Sequence, residues 1–117
     1  MSRNRRLLAL RIVGWLCVAV IAYLSLIPHS MEARTDLPPG VEHAIAYCGT
    51  AGLMMLAYPA QAAWLIVGAL CAYSGLMELL QNFSMDRQPG VDGVLWSSIG
   101  AILGGYVMAL LRSRRHA

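Results

Sequence analysis

Four apolar runs dominate the chain, at residues 7–27, 41–58, 62–80 and 91–111. Each approaches the roughly 20 residues that a helix needs to cross the ~30 Å hydrocarbon core of a bilayer. Pro28, Pro38-Pro39-Gly40, Pro59 and Pro89-Gly90 punctuate them, residue types that interrupt helices. A helix satisfies its backbone groups internally, which lipid requires of any single spanning segment. Charged residues make up 13% of the chain, against about 25% in soluble domains. The sequence therefore predicts an all-α fold, an integral-membrane four-helix bundle in which residues 1–117 form one membrane domain. The second run is the shortest and the weakest as a span.

Orientation follows from the arginines. There are nine and no lysine, and seven of them (Arg3, Arg5, Arg6, Arg11, Arg112, Arg114 and Arg115) lie near the two termini. The first and third connections hold only Arg34 and Arg87. The positive-inside rule then predicts cytoplasmic termini and places those two connections outside. Arg11 falls within the first run but near its end, where its side chain can snorkel to the interface. That run is longer than a signal-peptide core and has no convincing small-residue cleavage site after it, so we read it as an uncleaved helix. The basic groups lack interleaved aromatics, which argues against a nucleic-acid partner. Cys17, Cys48 and Cys71 sit in apolar runs without a paired motif and read as small packing residues.

The polar residues inside this frame are few, and they converge on the outer side. Glu78 lies within the third run, where an ionisable group costs several kcal/mol to insert and by default marks a functional site. Gln81 follows it on the same helix face at i, i+3. His43 opens the second helix, Asp92 opens the fourth, and His29, Glu42, Asp86 and Arg87 belong to the same layer. His43, Tyr47, Thr50 and Met54 share one face of the second helix, and Cys71, Ser74, Glu78 and Gln81 share one of the third. Gly93, Ser97, Gly100 and Gly104 form a small-residue stripe on the fourth, which predicts close helix packing. Bland readings exist for most of these: His43 as an interfacial histidine, Tyr47 as an aromatic-belt residue, Asp92 as a helix-start charge. Glu78 resists them best. One histidine with scattered carboxylates is a weak donor set, so we assign no metal and no cofactor.

These residues resemble the VanZ-like family of small membrane proteins. The likeness rests on four stretches in the family's order: Ser25-Leu26-Ile27-Pro28 at the first helix exit; His43-x-x-x-Tyr47 opening the second; Gly75-Leu76-Met77-Glu78-Leu79-Leu80-Gln81-Asn82-Phe83, followed by Arg87 and Asp92; and Gly100 with Gly104 in the fourth. There are departures. Pro39 and Gly40 stand where the family often has an Asp-Lys pair, and Ser97 replaces its asparagine with the spacing one residue off. The chain thus resembles a divergent member. The resemblance implies a place in the bacterial cytoplasmic membrane and, through the founding member, a link to resistance to the glycopeptide teicoplanin.

The combined expectation is an outward-facing pocket that binds or processes an anionic lipid-linked or peptidoglycan-related ligand. Arg87 holds its phosphate or carboxylate in bidentate fashion, and Gln81, Asp92, Tyr47 and Ser97 complete the binding set. Glu78 and His43 form a candidate proton-transfer pair. The other expected partners are membrane lipids. Two alternatives stand beside this reading. One is a non-catalytic scaffold for envelope enzymes, its polar groups locking the helices. The other is a small transporter, which with four spans needs a homo-oligomer.

Overall fold

The computed structural model describes residues 2–26, 39–81 and 91–115. These form α1 (Arg3–Leu26), α2 (Pro39–Ala57), α3 (Ala63–Gln81) and α4 (Val91–Arg115), with no strand among the described residues. Pro28, His29, Arg34, Asp86 and Arg87 fall outside them. The helices at the two termini run beyond their apolar cores. The Ser2 hydroxyl caps α1 by accepting the backbone N–H of Arg5 at 3.2 Å, so Arg3, Arg5 and Arg6 are helical. α4 likewise continues through Arg112 and Arg114, cations that suit a helix C-terminus.

Helices α1, α3 and α4 are each long and apolar enough to cross a bilayer. The chain is a multi-pass membrane protein. α2 is the most enclosed of the four. It packs chiefly on α4 and then on α1, and α3 lies mainly against α4. Its 19 residues give about 28 Å of helix at ~1.5 Å per residue. Leu8, Leu16, Trp64, Leu79, Leu95 and Leu103 are exposed, whereas Thr50, Ser74, Ser97, Ala51, Ala57 and Ala101 are buried. Ile21, Met54, Met55, Leu70 and Met77 are buried beside them, but most of the leucines are not. Lipid does not repel leucine, so small and polar side chains collect where helices meet.

The glycine stripe of α4 has its partner in α2. A Cβ on Gly100 would lie 2.8 Å from both the Cα and the carbonyl carbon of Ala44. One turn on, a Cβ on Gly104 would lie 3.1 Å from the same two atoms of Cys48. The pairings 44 with 100 and 48 with 104 advance together, so α2 and α4 run parallel and nearly touch backbone to backbone. Gly14 of α1 faces Met54, and a Cβ on Gly105 of α4 would strike Val67 of α3. These registers make α1 and α3 antiparallel to the central pair. Both termini lie at one end of the bundle.

That same end holds an arrangement absent from the sequence expectation. α2 stops before Pro59 with its last carbonyls unpaired, and two arginines from other helices cap them. Arg11 of α1 donates Nε–H to the Ala57 carbonyl at 3.0 Å instead of snorkelling freely. Arg112 of α4 donates to the carbonyls of Met55, Tyr58 (3.2 Å) and Gln61 (3.0 Å). Donors of this kind satisfy the orphan carbonyls of a helix terminus and complement its negative dipole.

Gly100→Ala is expected to force α2 and α4 apart and to lower stability by about 1–3 kcal/mol, the usual cost of overpacking. Gly68→Ala, where a Cβ meets nothing within 4 Å, is expected to be neutral or stabilising by up to about 1 kcal/mol through helix propensity. Denaturant titration of both variants in detergent micelles measures the contrast.

Candidate functional site

Three helices bring hydroxyl groups together inside the bundle. Tyr47 of α2, Ser74 of α3 and Ser97 of α4 are 2%, 4% and 1% exposed. The phenol of Tyr47 lies within hydrogen-bonding reach of both serine hydroxyls. Each residue lies on the polar or small-residue stripe of its helix, which is why a single register aligns all three. The ring of Tyr73 stands 6.5 Å from that of Tyr47, centroid to centroid, tilted by 49°. Tyr73 also donates its O–H to the Val18 carbonyl at 2.7 Å, tying α3 to α1. Thr50, one turn further in, returns its hydroxyl to the Ala46 carbonyl of its own helix at 2.8 Å and is thereby self-satisfied.

One turn outward from this level the enclosure ends. α2 and α3 are antiparallel, so stepping four residues from Tyr47 to His43 and four from Ser74 to Glu78 reaches one depth. His43 and Glu78 are both half-buried, unlike the sealed trio beneath them. The Tyr47–Ser74–Ser97 cluster is thus a floor, and His43 and Glu78 stand above it. Glu78 carries the one buried side-chain N or O atom among the described residues without a hydrogen-bond partner, its Oε1. A buried acceptor left unmet costs about 1–3 kcal/mol, and more when charged. His43 and Glu42 both engage partners.

The remaining candidates are placed less fully. Gln81 closes α3 and Asp92 sits in the first turn of α4, both by backbone at the end of the bundle away from the termini. Arg87 lies outside the described residues. Tyr47 and Ser97, expected to bind ligand, are buried with Ser74. The features missed in the sequence are the Tyr73 tether and the paired arginine caps. A signal for the caps exists, because a helix that ends at a proline without a C-terminal glycine has carbonyls that need donors. Comparison of the chain with protein-family models, curated proteins and solved structures returned no match.

Tyr47→Phe removes the group shared by Ser74 and Ser97 while keeping the ring. It is expected to lower stability by about 1 kcal/mol, the scale of a hydrogen bond between membrane helices. Reversible unfolding in mixed micelles, compared with a Tyr73→Phe variant, measures that loss.

Proposed function

We propose that the chain is a divergent VanZ-like protein of the bacterial cytoplasmic membrane. Its termini are cytoplasmic, and its outward end binds an anionic lipid-linked or peptidoglycan-related ligand. The observation that carries this reading is the unpartnered buried Oε1 of Glu78 above a closed polar floor. A carboxyl oxygen kept out of both water and hydrogen bonds calls for a donor supplied from outside the described residues, and a ligand O–H or N–H provides one. Arg87 binds the phosphate or carboxylate of that ligand through its planar fork. Asp92 pairs with Arg87 when the site is empty, and Gln81 orients the bound group. Glu78 and His43, at one depth on facing helices, are the pair suited to moving a proton if the ligand is processed. The link to teicoplanin resistance belongs to this proposal and rests on the resemblance alone.

The scaffold reading has its own support, since Tyr47, Ser74 and Ser97 fasten three helices together without any ligand. Lipid extracts of the purified protein separate the two. The expected result is an anionic envelope lipid that co-purifies with the wild type and falls at least about tenfold with Arg87→Ala and with Glu78→Gln, an affinity loss of ~1.4 kcal/mol or more. If alanine at Glu78, Arg87 and Asp92 leaves both the extract and glycopeptide susceptibility unchanged at equal protein levels, the site does not bind such a ligand. A Glu78→Gln protein that is less stable yet fully functional would favour the scaffold.

A further inference from the structure

The opposite end of the bundle carries a second arrangement that the outer site does not use. A shallow open groove on α1 is lined by Arg11, Ile12, Trp15 and Leu16. Ile12, Trp15 and Leu16 are 53%, 57% and 58% exposed, on the surface that meets lipid. Arg11 is held rather than free to sweep. Its Nε–H is fixed on the Ala57 carbonyl, and its guanidinium lies 4.6 Å from the centroid of the Tyr58 ring. The same tyrosine accepts the indole N–H of Trp15 at 2.8 Å, which locks Trp15 beside the arginine. No protein partner among the described residues takes the two terminal nitrogens of Arg11. Arg112, by contrast, spends both of its own on carbonyls.

The charge around this groove has one sign. None of the six acidic residues falls within residues 1–31, 43–77 or 93–117. The first turn of α1 contains Arg3, Arg5 and Arg6 with no acid, at the end where the helix dipole is itself positive. The backbone there adds to the positive potential and does not offset it. An anion is the complementary ligand for such a surface, and the groove favours one kind. Its floor is Ile12 and Leu16 facing hydrocarbon, with an amphipathic tryptophan at the rim, so the anion arrives with an apolar chain attached.

We infer that the groove of Arg11, Ile12, Trp15 and Leu16 binds one anionic glycerophospholipid, its phosphate on the terminal nitrogens of Arg11 and an acyl chain along Ile12 and Leu16. The site is independent of the outer ligand reading, being formed by other residues at the other end of the bundle. It differs from general attraction of basic termini because one oriented guanidinium sits beside an open apolar groove.

Trp15 provides the test. A Trp64→Phe, Trp96→Phe background leaves it the sole tryptophan of the three in the chain. The protein is placed in phosphatidylcholine vesicles containing brominated phosphatidylglycerol or, separately, brominated phosphatidylcholine. Half-quenching is expected at about fivefold lower mole fraction of the anionic lipid, the ratio given by about 1 kcal/mol per basic residue near an anionic surface. Arg11→Gln is expected to bring the two lipids to parity, while Arg3, Arg5 and Arg6 changed together to Gln leave the preference in place. Should Arg11→Gln fail to fold, Leu16→Glu, at an exposed position outside the cap, puts an acid in the groove and is expected to abolish the preference. Equal quenching by both lipids in the parent background overturns the inference. So does a preference that survives Arg11→Gln or Leu16→Glu, or one lost with the three terminal arginines alone.

Discussion

The bundle depends on the near-contact of two parallel helices. Gly100 and Gly104 let α4 approach α2 until its backbone rests on the backbone of Ala44 and Cys48, a distance that no side chain allows. Dispersion between closely packed atoms drives helix association where hydrophobicity cannot, and it falls steeply with separation. Every other placement follows from this pair. Ser97 reaches Tyr47 because the helices that carry them are this close, and α1 and α3 pack along its flanks. α2 thereby gains a protein environment for Tyr47 and Thr50, whose polar groups lipid would penalise.

The two ends of the bundle divide polarity between them. At the end away from the termini, acid, imidazole and amide residues from three helices share a layer above a closed floor of hydroxyls. At the other end, backbone carbonyls of α2 face arginines drawn from α1 and α4. The interior joining these ends mixes small residues and hydroxyls with Ile21, Met54, Met55, Leu70 and Met77, while most of the other bulky apolar side chains face outward. Such a distribution suits a protein whose solvent changes with depth, since the cost of a polar group is set by its level in the bilayer as much as by its neighbours.

Helix number, helix limits to within a few residues and the small-residue face of α4 were legible because each is a local property. Run length, proline position and residue spacing declare them. The neighbour of that face was not legible, since glycines at i, i+4 announce a close approach without naming its partner. Nor were the caps, where Arg11 and its acceptor Ala57 lie 46 residues apart and Arg112 reaches back 57 residues to Met55. In the candidate site, spacing correctly grouped Tyr47 with His43 and Ser74 with Glu78. It could not say that the first of each pair is sealed and the second half-open, because burial belongs to the assembled bundle and not to one helix.

The arginine cap contributed by α4 has a consequence for how the chain is made. α4 closes the terminus of α2, so α1 and α2 together are not a finished unit when they leave the ribosome. Until α4 enters the membrane, α2 lacks the three-carbonyl contact of Arg112 and the glycine surface that covers Ala44 and Cys48. The hydroxyls of Tyr47 and Thr50 are then exposed to lipid or to whatever chaperones the insertion site offers. The order of synthesis thus runs against the order of structural importance, and the bundle gains its centre only with α4.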